Sequence, residues 1–421
     1  MSETLIRVGH ATDPDRFLAT DRIVWFEEAT DESPQDALEG VPVDQRFAAE
    51  IEGADPAYYA GVYGVRPLTL TVPGGTRHDA RRVPVAGLTW VGVHPDQRRR
   101  GVLTALMRHH LDRTLADGVA VSALHCSEPE IYGRYGYGMA TTQSVVTLGR
   151  GTALTAPRLD AAAAELTTQL ATISDRGMAR RLRECDEAIA ETELGTIVFA
   201  EGYYRRVVRP TPQSLRDKEP LRVLFAGRNG RDVGMALFRR THKWERGRPG
   251  GELEVSFLGG DPAARLALLR RLVDFDLMGS VKVAVGIDDP LWHWITGPRS
   301  TSDSHVRDSL WVRLVDLPAA LVSRGYEADC DVVVEVTDAW LPRNAGRWRL
   351  TVSTGEATVA PTDADPDTAL DIAVLGAAWL GSTNLAAMHR AGQVSEKRPG
   401  AIRELWRALR TDVASGPSAG F

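Results

Sequence analysis

Three adjacent arginines, Arg98, Arg99 and Arg100, stand directly before Gly101, and Val91-Gly92-Val93-His94-Pro95 precedes them. Arginine offers a forked, permanently charged donor that suits phosphate oxygens. Glycine lets the backbone turn tightly and approach a ligand closely. Behind Gly101, Val102, Leu103, Leu106, Met107, His110 and Leu111 recur at helical spacing. Ahead of the turn, Leu88 to Val93 is an apolar, β-branched run that suits a buried strand. A strand therefore feeds a basic turn that opens a helix, where free N–H groups and the positive end of the helix dipole converge. Cations at a helix start oppose that dipole, so three in a row call for an anionic partner, and the guest that fits is a pyrophosphate. The competing reading is a solvated basic helix start.

Neither common nucleotide loop is present: GxxxxGK[ST] is absent, and GxGxxG does not follow the strand. The run Ile131-Tyr132-Gly133-Arg134-Tyr135-Gly136-Tyr137-Gly138 offers three phenols as proton donors. A phenol titrates near ~10 and stays protonated at neutral pH. The other reading of Tyr132, Tyr135 and Tyr137 is packed aromatics in a glycine-rich turn. Trp25, Phe26, Glu27 and Glu28 put aromatic and acidic groups together, a mix that suits cationic amines. Alternatively they belong to an amphipathic helix, with Trp25 and Phe26 inside and Glu27 and Glu28 wet. The histidines lack metal-ligand spacing, and Cys126, Cys185 and Cys330 lie too far apart for a zinc site or a disulfide framework, so no metal is expected.

The elements that must position these groups belong to a chain of 421 residues, which implies two or three domains. Hydrophobic residues make up 43% and charged residues 25%, the balance of a globular protein in water. A formal charge of −6 argues against nucleic acid as the main partner. Sparse cysteines and an N-terminus without an apolar leader point to a reducing cytoplasm. The longest uncharged stretch, Ile372 to Met388, reads as a buried helix rather than a membrane span. Turn signals divide the chain into blocks at 1–155, 156–300 and 301–421. The second block echoes the first: Leu253 to Pro262 leads into a helix pattern from Ala263 to Phe275, with Ala263-Ala264-Arg265 where the first copy has its arginines and glycine. That is the pattern of a duplicated fold whose second copy has lost its phosphate cradle. The third block, with strands at Val332 to Val336 and Trp348 to Val352, reads as an α+β unit.

The order strand, Arg98-Arg99-Arg100-Gly101-Val102-Leu103, helix resembles the acetyl-CoA site of GNAT N-acetyltransferases, with Leu103 departing from the usual final small residue. Taken with Val72-Pro73-Gly74-Gly75, the Ile131 to Gly138 run and a C-terminal Phe421, the chain resembles the enhanced intracellular survival (Eis) branch over nearly its whole length. That resemblance implies an α/β (α+β) architecture: an active GNAT domain, a degenerate GNAT domain and a sterol-carrier-protein-like domain. It implies acetyl-CoA as co-substrate, a small-molecule or peptide amine as acceptor, and a homohexamer. By position it assigns Val91 and Val93 to the pantetheine arm. Arg98, Arg99, Gly101 and Val102 fall to the pyrophosphate, and Ser127 to a further cofactor contact. Thr89 and Trp90, with Trp25, Phe26 and Glu27, fall to the acceptor side. Tyr132 is implied as general acid and the Phe421 carboxylate as general base. Gly420 stands where the family carries an acidic residue, a departure that bears on highly charged amines. The rival class is a non-catalytic sensor that binds acyl-CoA or lipid.

Overall fold

The computed structural model describes residues 5–28, 32–77, 80–209, 219–245 and 247–421. The strands Gly61–Pro73 and Ala80–Val93 form a long antiparallel hairpin at the centre of an eight-stranded sheet. Alternate residues Leu68, Leu70, Val72, Val83 and Val85 point into one buried core, as the period-two pattern requires. On its other edge Ala80–Val93 runs parallel to Val121–His125, but only Ala86↔Ser122 and Gly87↔Ala123 are paired. Beyond that point the two strands part. Within the hairpin, Val62 faces Gly92 and Gly64 faces Thr89, so Trp90 and Val91 together stand opposite Tyr63. This is a β-bulge, and Trp90 takes the left-handed conformation with φ 54°.

Two strands cross the boundaries read near 155 and 300. Thr142–Gly149 leaves the first block and pairs with Met278–Gly286 and Asp303–Asp308 in a seven-stranded second sheet. In return, Leu310–Leu314 inserts between Val121–His125 and Gly138–Met139 in the first sheet. The exchange is possible because each segment is a short strand whose partner is chosen by tertiary packing rather than by its neighbours in sequence. The echo in the second block is a strand, Gly251–Gly260, feeding the helix Pro262–Val273.

The third sheet has five strands, with Cys330–Thr337 and Gly346–Ser353 inside. Ile372 to Met388 is two helices, Ile372–Ala378 and Leu385–Arg390, rather than the one expected. Gly381, with φ 80°, turns the chain between them. Among the described residues no helix is long and apolar enough to cross a membrane. The glycine motifs dock this unit onto the first: Gly74 forms a bridge with Gly325, and Gly138 lies so close to Ala373 and Ala377 that a Cβ would overlap them. A fully buried ion pair, in which Arg313 Nη2 donates to both Asp338 carboxylate oxygens at 2.7 and 2.8 Å, ties the inserted strand to the third unit.

Candidate active site

The basic turn is built as its residue types require. A short 3-10 turn, Pro95–Gln97, follows the bulged strand, and the helix Val102–Ala116 begins after it. Arg99 (φ 60°) and Gly101 (φ 86°) are both left-handed. That conformation turns successive backbone N–H groups toward one concavity. Gly101 is the N-cap, and no side chain caps the helix. Arg98 and Arg99 are exposed, and no ion pair holds either among the described residues. An uncapped helix start with unspent cations fits a pyrophosphate. The parting of Ala80–Val93 from Val121–His125 opens a wedge beside it that fits an extended pantetheine arm.

Beyond the wedge lies a cavity of about 570 Å³. Its floor is Leu88, Thr89, Trp90 and Val91 of the bulged strand, with Leu124 and His125 across the split. Ser127 and Tyr132 close one side, and Trp25 and Glu27 another. The fourth wall includes Tyr203 and the last residue of the chain, Phe421.

Of the three tyrosines considered, only Tyr132 lines this cavity. Tyr137 is locked inside by a 2.8 Å hydrogen bond with Ser122, which in turn contacts His110 Nε2 at 2.9 Å. Tyr135 packs on Trp340 at 4.8 Å. Burial, with Cys126 and Glu128 nearby, pushes the Tyr132 phenol above its usual value, so it stays protonated. Burial and the adjacent Asp308 carboxylate push the Cys126 thiol up to about 12, which disfavours the thiolate.

The tail reaches the cavity by a chain of small contacts. Ala414 N–H donates to Asp288 Oδ2 at 2.8 Å, and Gly416 N–H to the Leu194 carbonyl at 3.1 Å. Ser418 Oγ lies 3.0 Å from His125 Nε2. The Phe421 ring meets His125 edge-on at 5.0 Å and Phe199 at 5.9 Å, and it covers Gly87, where a Cβ would come within 3.0 Å of the ring. Burial lowers the His125 pKa to about 4, so a neutral imidazole anchors the tail at neutral pH.

Two groups of assigned residues therefore come together, Arg98, Arg99, Gly101 and Val102 at the turn, and Trp25, Glu27, Thr89, Trp90, Val91, Ser127, Tyr132 and Phe421 around the cavity. Val93 pairs with Gly61 at the strand end, between the two. Phe26 is not brought in. The helix Pro14–Trp25 ends there, Phe26 takes φ 57°, and its side chain is 91% exposed, neither buried nor facing the cavity. Trp25 is also more exposed than an inward helix face would have it, at 43%. Sequence reading missed His125, Asp21 and Arg66, all of which line the cavity. None of the three stands in a motif that marks it.

An acetyltransferase (GNAT) domain family matches residues 45–140, a second acetyltransferase (GNAT) domain family matches 195–314, and a sterol carrier protein domain family matches 317–415. The tandem GNAT folds and the C-terminal third domain expected from sequence are thus present. The chain is 38% identical to an uncharacterized N-acetyltransferase of Streptomyces avermitilis, over 86% of each protein. It is 33% identical to the N-acetyltransferase Eis of Mycobacterium tuberculosis, over 89% of this chain and 88% of that one. The crystal structure of Eis1 from Mycobacterium abscessus superposes with a TM-score of 0.79 at 29% identity, covering 99% of this chain and 100% of the other.

Proposed function

Because the chain belongs to the Eis family of GNAT N-acetyltransferases, we propose that it transfers an acetyl group directly to a primary amine, with Tyr132 as acid and the Phe421 carboxylate as base. Aminoglycosides, polyamines and lysine side chains are the acceptors the family suggests. A cytoplasmic homohexamer is the corresponding proposal for location and assembly. GNAT domains imply acetyl-CoA as co-substrate, which supplies the acetyl group as a thioester. Arg98, Arg99 and the N–H groups near Gly101 and Val102 would hold its pyrophosphate, and the backbone of Val91 and Val93 its pantetheine arm.

The residues then divide the work. The amine must shed a proton before it attacks. The Phe421 carboxylate, with an intrinsic pKa of about 3.5, is a weak base, so it orients the ammonium and takes the proton through water. Bulge N–H groups at Trp90 and Val91 donate to the carbonyl oxygen as negative charge gathers on it. As the new C–N bond forms and the C–S bond breaks, the Tyr132 hydroxyl donates to the departing sulfur. Its raised pKa makes early proton loss unfavourable, so its hydrogen bond stabilises the thiolate before the proton moves.

One observation carries this reading: Tyr132, Phe421 and the bulge line a single cavity that lies next to an uncapped, cationic helix start. Adding a few residues after Phe421 displaces the terminal carboxylate. The expected result is loss of transfer with acetyl-CoA affinity intact, read by steady-state kinetics and calorimetry. Full activity of the extended chain rules out the carboxylate's role.

A further inference from the structure

Two side chains of the cavity each hold a buried polar atom that the protein itself does not satisfy. Asp21, on the helix Pro14–Trp25, is buried and lines the cavity, and its Oδ1 has no hydrogen-bond partner. Burial, with Glu27 beside it, pushes its carboxyl up to about 7. Arg66, on the strand Gly61–Pro73, lines the same cavity. Its Nε is buried without a hydrogen-bond partner, and no carboxylate pairs with it among the described residues. Burial pulls its guanidinium below the usual value, and Arg206 adds to that shift. The Tyr203 ring lies 5.3 Å from the guanidinium, in cation–π range. Other cations of the wall are already committed: Arg206 reaches Glu32 at 3.3 Å, and Arg209 reaches Asp36 at 2.8 Å and Glu39 at 2.9 Å.

A half-buried charge with an unpaired buried N–H is unfavourable, and a site that keeps one is complementary to the opposite charge. We infer that the acceptor amine also carries an anionic group, a carboxylate or a phosphate, which Arg66 receives while Asp21 faces the ammonium. A pure polycation leaves Arg66 without a counter-charge, whereas an amine that carries an anion meets both Arg66 and Asp21. The inference rests on the acetyl-transfer reading above and favours a zwitterionic amine over the polycationic acceptors named there.

The test compares matched amines with the full-length protein and acetyl-CoA: δ-aminovalerate against cadaverine for the carboxylate, and phosphoethanolamine against ethanolamine for the phosphate. The acid-bearing member of at least one pair is expected to show the higher kcat/KM, and the pair that does so identifies the anion. In Arg66→Met that preference falls about ten- to a hundredfold, the worth of a lost charge-assisted hydrogen bond. Arg66→Lys keeps the charge without the fork and restores part of it. A wild-type preference for cadaverine and ethanolamine overturns the inference and leaves acetyl transfer standing. Equal losses on both members in Arg66→Met also overturn it, because Arg66 then serves all acceptors alike. No transfer to any amine, with acetyl-CoA bound, overturns the acetyl-transfer reading as well.

Discussion

At the helix Val102–Ala116 the N-cap is Gly101 and no side chain reaches the first turn, whereas at the helix Pro262–Val273 the Asp261 carboxylate accepts the Ala264 N–H at 2.8 Å. The first site leaves Arg98 and Arg99 exposed. In the second, Arg228 pairs with Asp261 at 2.7 Å, and the buried Arg265 pairs with Glu193 at 2.8 Å and with Asp289. Both helices follow a strand of the same kind. In the second copy a carboxylate of the chain occupies the helix start, and other carboxylates neutralise the arginine. The cations of the second copy are paired within the fold, whereas Arg98 and Arg99 of the first form no ion pair among the described residues.

Mutations in the two copies should separate these roles. The largest effect is expected from Arg265→Met, which leaves the buried Asp289 and the half-buried Glu193 without their cation. Breaking a buried pair costs about 3–5 kcal/mol, so denaturant melts should show a loss of that order, with the acetyl-CoA Kd unchanged. Replacing Arg98 and Arg99 together with alanine should do the reverse. Acetyl-CoA binding should weaken by roughly ten- to a hundredfold, with the melting temperature unmoved. If Arg265→Met weakens acetyl-CoA binding by a similar factor at full stability, the division of roles is wrong.

A smaller effect sharpens the same contrast for two carboxyls that burial pushes up to about 7, Asp21 and Asp186. Asp186 is partnered, accepting the Tyr204 hydroxyl at 2.7 Å, whereas Asp21 Oδ1 has no partner. A raised folded pKa means the unfolded chain releases its proton first as pH rises. Asp186 thus contributes stability below its ordinary 3.8, and that contribution is lost as pH climbs through about 7. Asp186→Asn should remove this slope, so the variant's melting temperature gains a few degrees on the wild type across that window, given roughly 2–4 °C per kcal/mol. A constant difference across the window contradicts the assignment.

Much of the first copy is legible in its residues because the signals are local. His94-Pro95-Asp96 marks the turn, Arg98 to Gly101 the cradle, and the spacing from Val102 to Leu111 the helix. The echo around Leu253 to Arg265 is legible for the same reason. What needs long-range pairing is not. Nothing in Thr142–Gly149 or Leu310–Leu314 says that each belongs to the other's sheet. Trp25 and Phe26 are adjacent, yet one lines the cavity and the other points to solvent, because the helix ends between them. Asp21 and Arg66 gain their meaning only from a cavity closed by Phe421, some hundreds of residues away in sequence.

The central claim is that the cavity beside the first cradle performs amine-dependent acetyl transfer through Tyr132. The most direct measurement is release of free CoA thiol from acetyl-CoA, with and without a panel of primary amines, for the wild type and Tyr132→Phe. Amine-dependent release by the wild type is predicted, reduced on the order of 10²–10⁴-fold in the variant, the usual worth of a general acid, with acetyl-CoA affinity retained. Tight acetyl-CoA binding with no release on any amine, or release that Tyr132→Phe leaves untouched, would contradict it.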